Sequence, residues 1–277
     1  MNKSESLFLR FLYKTHIGRI FLKIVSSVKL SKLCEKFWDS SFSKIFIKSF
    51  VNKNNININD YYCDEVKNFN EFFSRKIKEN LRPVNMDKNV LISPCDGLLS
   101  FYKIDKNTVF PIKQSKYSIE SLLGGNKKLA RKYDDGICLV FRLCINNYHR
   151  YCYIDDGKKG ENIYIPGILH TVRPIALEKY PVFVQNCREY TVMETENFGT
   201  VTQIEIGALL IGKIKNHHGA SNVIKGEEKG MFLYGGSTII LLLEKDKAII
   251  DNYIISNSKN SIETPVNYGE AIGKMFE

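Results

Sequence analysis

This 277-residue sequence lacks several features that would point directly to a function. Its seven cysteines form no CxxC pair and no zinc-like spacing, so they are expected to be reduced thiols rather than metal ligands. It contains no uninterrupted apolar run of about 18 residues, so no membrane-spanning helix is predicted. Basic residues interrupt the apolar N-terminus and no small-residue cleavage site follows, so no signal peptide is predicted either.

The composition indicates a folded, basic protein. Hydrophobic residues make up 44% of the chain and charged residues 25%, which excludes a largely disordered protein. The formal net charge is +10, so the chain is expected to attract nucleic acid, acidic small molecules or anionic lipid. Charge alone does not choose among these partners.

Residues 6–48 alternate apolar clusters with Lys and Arg at helical spacing, for example Phe8, Phe11 and Phe21 against Arg10 and Arg19. This pattern predicts amphipathic helices with a basic face. Such helices bind at the surface of anionic membranes. The alternative is a set of helices that pack on their own domain and leave the charged face in water.

The sequence pattern changes from helical to β-rich along the rest of the chain. Residues 52–60 are rich in Asn and predict a loop, and a helical pattern over 61–77 ends before Pro83. We expect an α+β fold with a helical, membrane-associating region at 1–80 and a β-rich catalytic domain at 81–277. Short β-branched and aromatic runs predict strands at 137–143, 151–154, 182–184, 201–206, 237–243 and 248–255.

A Gly-Gly-Ser-Thr sequence precedes the apolar run that begins at Thr238. Two consecutive glycines adopt backbone conformations closed to other residues, so the carbonyl of Gly236 can be presented to the hydroxyl of Ser237. Attack of that hydroxyl on the carbonyl would cut the chain and leave a pyruvoyl group at Ser237. Taken alone, GGST is more often a simple hairpin turn.

Four motifs together resemble the phosphatidylserine decarboxylase family. They are FFSRKIKENLRP at 72–83, SPCDG at 93–97, YHR at 148–150 and KGEEKGMFLYGGST at 225–238. The resemblance implies a proenzyme that cuts itself between Gly236 and Ser237 into β and α chains. It also implies that Ser237 becomes a covalent pyruvoyl cofactor, which forms a Schiff base with phosphatidylserine and releases carbon dioxide to give phosphatidylethanolamine.

The same resemblance implies roles for individual residues. Asp96 would orient and charge a histidine that deprotonates the Ser237 hydroxyl, and His149 would donate a proton in the decarboxylation. The family usually has a second histidine where this chain has Cys152, and a thiol is a poorer base at neutral pH. Our first candidate for the self-cleavage base is therefore His149, and the second is His170, reaching into the space left at Cys152.

Basic residues near the FFSR motif are candidates for binding the substrate phosphodiester, chiefly Arg75 and Lys76, with Lys78 and Arg82 as further nominees. The alternative for each is a solvated helix face. The predicted partners are phosphatidylserine and an anionic membrane surface on the cytoplasmic side of the cell membrane. A homodimer is also expected from the resemblance, and no nucleic acid is predicted.

Other classes of function compete with this interpretation. The pattern of glycine, apolar and charged residues over 211–232 also resembles biotinyl or lipoyl carrier domains. A carrier needs a modifiable Lys at a hairpin tip, and this chain has GGS instead. A basic membrane-surface or nucleic-acid binder would use the charge but not Asp96, His149 and Ser237 together. A pyruvoyl decarboxylase acting on a soluble amino acid would share the chemistry, and the basic N-terminus favours a lipid instead.

Overall fold

The computed structural model describes residues 7–105, 109–112, 115–209, 213–233 and 237–276. Helices dominate the N-terminal part, and short helices recur later in the chain. The α-helices are α1 (Leu7–Lys14), α2 (His16–Val25), α3 (Val28–Trp38), α4 (Ile45–Asn54), α5 (Phe69–Phe73), α6 (Ile119–Leu122), α7 (Lys127–Ala130), α8 (Pro174–Leu177), α9 (Val182–Gln185) and α10 (Asn252–Lys259). Short 3-10 helices cover Ser41–Lys44, Ile58–Asp60 and Arg131–Tyr133.

Local sequence signals set the boundaries of the N-terminal helices. Thr15 caps α2 by accepting a hydrogen bond from the amide of Gly18, and Ser27 caps α3 in the same way. Helix α4 ends at Asn55, which adopts the left-handed conformation with a φ of 53°. A Cβ atom at Gly18 would lie 1.9 Å from the carbonyl oxygen of Phe11, so the close approach of α1 and α2 requires glycine there.

Strands occur from residue 61 onward, and most of them lie after residue 90. They are β1 (Tyr61–Tyr62), β2 (Lys76–Ile77), β3 (Val90–Ile92), β4 (Gly97–Lys103), β5 (Val109–Ile112), β6 (Ser115–Ser118), β7 (Ile137–Leu143), β8 (Arg150–Cys152), β9 (Gly157–Lys159), β10 (Ile163–Ile165), β11 (Arg188–Thr195), β12 (Thr200–Ile206), β13 (Ile214–Asn216), β14 (Ser221–Val223), β15 (Glu228–Phe232), β16 (Ser237–Leu243), β17 (Ala248–Ile250), β18 (Thr264–Val266) and β19 (Ala271–Met275).

Within the described residues, nine strands form one antiparallel sheet in the order β14-β9-β11-β12-β16-β7-β4-β18, and β10 pairs with the opposite end of β11 from β9. Two three-stranded sheets, β13-β15-β8 and β17-β19-β3, accompany it. The strand pairs β1-β2 and β5-β6 are separate. The fold class is α+β with a β-rich region after N-terminal helices, as predicted.

Strand β16 lies inside the large sheet, between β12 and β7, and every residue of it is buried. Ile240 and Leu242 belong to one hydrophobic core, and Ile239, Leu241 and Leu243 belong to another. Successive side chains of a strand point to opposite faces, so each face of β16 is covered by its own core. This explains why the sequence of β16 is a continuous apolar run rather than an alternating one.

Different elements cover the two faces. Helix α1 contributes Leu12 and Tyr13 to the first core. The small sheets supply the second core with Cys152 of β8, Phe232 of β15 and Ile272 of β19. Strand β16 therefore begins, at Ser237, on the face that carries the small sheets.

A buried ion pair joins the large sheet to one of the small sheets. The ammonium of Lys229 donates to the carboxylate of Glu205 at 2.8 Å and to Asn216 at 2.9 Å, and neither charged side chain has any exposed surface. Burial raises the pKa of Glu205, and the charge of Lys229 opposes that rise. Each charge depends on the other, because an unpaired charge in this position would lose its hydration without compensation.

Some predicted elements differ from those observed. Residues 61–77 form β1, α5 and β2 instead of one helix, and Val182–Gln185 is a helical turn after Pro181 instead of a strand. Of the run 248–255, only Ala248–Ile250 is a strand, and α10 begins at Asn252. The predicted strands at 137–143 and 237–243 agree with β7 and β16 residue for residue, and the predicted strand at 201–206 begins one residue later than β12.

Candidate active site

Ser237 and His149 meet at the edge of the second core. Ser237 is the first residue of β16 and pairs with Leu143, the last residue of β7. After β7 the chain turns back and enters β8 directly after His149, whose carbonyl accepts a hydrogen bond from Phe232 of β15. The turn places Nδ1 of His149 3.3 Å from the Oγ of Ser237, and both residues are buried.

The second ring nitrogen of His149 defines its protonation. Nε2 lies 3.1 Å from the carbonyl oxygen of Cys144, and a carbonyl oxygen only accepts hydrogen bonds. In the neutral ring Nε2 therefore carries the hydrogen, and Nδ1 presents its lone pair to the hydroxyl of Ser237. This is the orientation that a base needs to take the serine proton.

The surroundings keep His149 uncharged. Burial lowers its pKa to about 3, and the positive charge of Arg75 acts in the same direction. The ring of Phe73 packs on the imidazole with the ring centroids 4.1 Å apart. A neutral imidazole keeps its Nδ1 lone pair available at physiological pH, which suits a proton acceptor.

Asp96 lies close to this site but makes no contact with a histidine ring in the described part of the chain. Its carboxylate accepts two hydrogen bonds of 2.8 Å from the guanidinium of Arg82. It also accepts from the backbone amides of Tyr268 at 2.9 Å and Tyr148 at 3.4 Å. Since Tyr148 precedes His149, Asp96 holds the backbone beside His149 rather than its side chain.

His170 and Cys152 are not brought together. His170 is a buried residue whose Nδ1 lies 3.1 Å from the hydroxyl of Tyr13 and whose ring stacks on Tyr180 at 4.5 Å. Tyr13 belongs to the first core and Cys152 to the second, so the two residues lie on opposite faces of the large sheet. The suggested approach of His170 to the space at Cys152 is therefore not observed. Burial also raises the pKa of Cys152 to about 12, which keeps its thiol protonated.

A cavity of about 380 Å³ lies near the site in the chain, since Arg150 lines it, although neither His149 nor Ser237 is among its lining residues. Its lining includes Ser74, Arg75, Lys76, Arg150 and Leu233, and it also contains the acidic residues Asp39 and Glu71. Arg75 links this cavity to the site, because its charge acts on His149. Arg75 is buried and Lys76 is exposed, so the two predicted substrate-binding residues occupy very different environments.

The sequence interpretation missed the groups that hold the site together. Arg82 was nominated as a phosphodiester ligand, whereas it forms the ion pair with Asp96. The contact of Phe73 with His149 was not foreseen, although Phe73 stands only two residues before Arg75 in the FFSR motif. The predicted cleavage residue Gly236 lies outside the described residues.

Two further findings bear on the chemistry. In the ranges that the structure describes, no group of three or more His, Cys, Asp or Glu side chains is arranged to hold a metal ion. Among the helices of those same ranges, none combines the length and the apolar character needed to cross a bilayer.

The chain is similar to known proteins along most of its length. A family model described as phosphatidylserine decarboxylase matches residues 69–274. A relative named phosphatidylserine decarboxylase proenzyme 2, from Clostridium acetobutylicum, is 45% identical over 267 residues, which cover 96% of this chain and 91% of the relative. Phosphatidylserine decarboxylase proenzymes of Clostridium tetani and Clostridium perfringens are 43% and 40% identical, over 92% and 96% of this chain and 88% and 92% of their own lengths.

The match includes the segments that carry Ser237, His149 and Asp96, and the relatives align over nearly their full lengths. With this extent and this identity, the chain belongs to the phosphatidylserine decarboxylase family.

Proposed function

We propose that this protein is a self-processing phosphatidylserine decarboxylase, which converts phosphatidylserine to phosphatidylethanolamine. Family membership supports the reaction. The single observation that supports the self-processing is the 3.3 Å approach of the Ser237 hydroxyl to Nδ1 of a neutral, buried His149. The family assignment does not favour the carrier and surface-binding alternatives.

His149 is the base of the first step in this proposal. Nδ1 accepts the proton of the Ser237 hydroxyl, and the freed oxygen attacks the carbonyl carbon of Gly236. The peptide C–N bond breaks as the C–O bond forms, so the chain is joined by an ester and residue 237 gains a free amine. Removal of the α-proton of residue 237 then breaks its Cβ–O bond and releases the carboxylate of Gly236. Hydrolysis of the remaining dehydro residue consumes one water, releases ammonia and leaves the pyruvoyl group.

Asp96 acts at a distance in this scheme. Its carboxylate fixes the backbone at Tyr148 and Tyr268, and Arg82 neutralises its charge. We therefore assign Asp96 to positioning His149 and not to charging it. His170, our second candidate for the base, packs against Tyr13 and is left out of the chemistry.

The residues present fit a pyruvoyl cofactor, because a serine hydroxyl faces a proton acceptor at the first residue of a buried strand. When formed, this group supplies an acceptor for the electrons of the bond that loses carbon dioxide. The lipid headgroup enters the cavity lined by Arg75 and Lys76. The proton that the product carbon requires would pass through Nδ1 of His149, which must first take it up, because the neutral ring carries its hydrogen on Nε2.

The N-terminal helices give the protein a surface suited to an anionic membrane. Large apolar side chains of α1 and α2 stand exposed, including Phe8, Ile17, Ile20 and Phe21, and basic residues are interspersed among them. Exposed apolar side chains of this size gain free energy by entering the boundary of a lipid layer, and the Lys and Arg side chains attract anionic headgroups. A peripheral location on the cytoplasmic side of the cell membrane and a homodimer remain predictions.

The test is a denaturing gel with mass spectrometry of the wild-type chain and of Ser237→Ala. We expect the wild type to split after Gly236, with a small chain whose N-terminus is blocked and whose mass fits pyruvoyl. Ser237→Ala should stay whole and release no carbon dioxide from vesicles that contain phosphatidylserine. A wild-type chain that stays whole and keeps an ordinary serine at position 237 would show that the proposal is wrong.

A further inference from the structure

Arg75 is a buried cation, and three of its five N–H donors, those on Nε and Nη2, are unused among the described residues. Only Nη1 has partners, the carbonyl oxygens of Phe72 at 3.3 Å and Phe73 at 3.4 Å. In the part of the chain that the structure describes, Nε and Nη2 have no hydrogen-bond partner, and both atoms are shielded from water. Buried charged donors are nearly always paired, so this arrangement is costly unless a ligand completes it.

The unused donors lie on one edge of the guanidinium. Nε–H and Nη2–H point the same way and form the fork that binds two oxygens of one anion. The central carbon of the guanidinium lies 4.1 Å from the ring centroid of Tyr61 and 4.9 Å from that of Phe72. These ring contacts and the two backbone carbonyls hold the fork in place before any ligand arrives.

We propose that the free edge of Arg75 binds the phosphodiester of the lipid substrate by two parallel hydrogen bonds, with the headgroup in the cavity that Arg75 lines. This inference rests on the proposed function. Arg75 lines that cavity together with Lys76 and Arg150, and its charge acts on His149, which itself contacts Ser237. In phosphatidylserine three covalent bonds separate the phosphorus from the α-carbon that loses carbon dioxide, so both groups fit a site of this size.

The substrate carries two anions, and the chemistry favours the phosphodiester as the one that Arg75 binds. The carboxylate loses its charge as carbon dioxide leaves, so a cation that bound it would stabilise the starting state more than the transition state. The phosphodiester keeps its charge throughout the reaction. A cation there contributes equally to both states and lowers KM without opposing the chemical step.

Access to the fork requires a small movement. Tyr61 belongs to β1 and Lys76 to β2, and this strand pair has only two residue pairs. A pair so short is held by few hydrogen bonds, so its displacement is cheap. Movement of β1 and β2 gives the anion access to the Nε–Nη2 edge, while the ring of Phe72 and the backbone contacts of Nη1 still hold the guanidinium.

The test compares Arg75→Gln, Arg75→Lys and Lys76→Gln with the wild type, with Lys259→Gln as a control that removes one positive charge from the end of α10. Each protein is first checked by gel for self-cleavage and by thermal melting for folding. A failure of the proposed function appears at that stage as an uncut wild type. Calorimetric titration then measures binding of glycerophosphoethanolamine, a phosphodiester without a carboxylate, and of serine, a carboxylate without a phosphodiester.

For Arg75→Gln we expect affinity for glycerophosphoethanolamine to fall about 10- to 100-fold, since a bidentate charge-assisted pair is lost, and affinity for serine to stay unchanged. Arg75→Lys keeps the positive charge but lacks the two parallel donors, so its affinity for glycerophosphoethanolamine should lie between those of the wild type and Arg75→Gln. This variant tests the proposal if Arg75→Gln does not fold. Lys76 also lines the cavity but is exposed, so Lys76→Gln should lower this affinity less than Arg75→Gln does, by about 3-fold, and the control Lys259→Gln should leave it unchanged. With a soluble short-chain phosphatidylserine, KM of Arg75→Gln should rise while kcat holds. Unchanged glycerophosphoethanolamine binding in both Arg75 variants, or an equal loss for serine, would overturn the proposal.

Discussion

The depressed pKa of His149 makes a specific prediction for the pH dependence of self-cleavage. The base must be neutral to accept the serine proton. With a pKa of about 3 in the folded chain, about 99% of His149 is neutral at pH 5, whereas an ordinary histidine of pKa about 6.5 would be only about 3% neutral there. Self-cleavage at pH 5 should therefore proceed at nearly the rate it has at pH 7, whereas a base of pKa about 6.5 would slow it about 25-fold.

The assay is a pulse-labelled cell-free translation, transferred to buffers between pH 4.5 and 8 and sampled on denaturing gels. His149→Ala should remain uncut at every pH. Circular dichroism of Ser237→Ala over the same range identifies the pH at which folding, rather than chemistry, fails. A rate that falls with a midpoint near pH 6.5 while the fold is intact would refute the assignment of His149 as a buried neutral base.

Three further predictions follow from other parts of the structure. The pKa of His170 is about 4 in the folded chain, lower than in the unfolded chain, so its contribution to stability is complete above about pH 6.5 and is lost as the pH falls towards 4. His170→Phe should therefore reduce the loss of unfolding free energy between pH 7 and pH 5 by about 2 kcal/mol and leave self-cleavage unchanged, and an uncut variant would contradict this. Glu205→Gln should lower the free energy of unfolding, measured with urea, by about 3–5 kcal/mol because it removes the ion-pair partner of Lys229, and the double change Glu205→Leu with Lys229→Met should recover most of that loss. Equal losses in the single and the double variant would argue against the ion pair. Phe21→Ser should weaken co-sedimentation with anionic vesicles about 3- to 10-fold without affecting self-cleavage. Phe276 is exposed to a similar extent, so Phe276→Ser is the matched control and should leave co-sedimentation unchanged.

The sequence predicted the large sheet well where strands are buried on both faces. The run at 237–243 is a continuous β-branched and leucine-rich segment of seven residues, which is typical of an interior strand. The segment at 182–184 is also apolar and β-branched but is a helical turn. Its position after Pro181 and its tertiary contacts determine that it is helical, and three residues of sequence do not reveal those contacts.

Parts of the candidate site were accessible from sequence and others were not. The pairing of Ser237 with His149 was anticipated because both stand in recognisable motifs. The partner of Asp96 was not, since Arg82 is fourteen residues distant and its ion pair depends on how the loop before β3 folds back. The unused edge of Arg75 is a property of three-dimensional packing, and no spacing of residues reveals an empty donor.

The place of β16 in the sheet has a consequence for the life of the molecule. If the chain is cut before Ser237, the new end begins a strand flanked by β12 and β7, so the two pieces stay interlocked without a covalent link. Once heat or denaturant separates the two pieces, the peptide bond that joined them no longer keeps β16 close to β12 and β7, and reassembly becomes a bimolecular reaction. The mature form is thus expected to be durable while intact and unrecoverable once unfolded, to be replaced only by new synthesis.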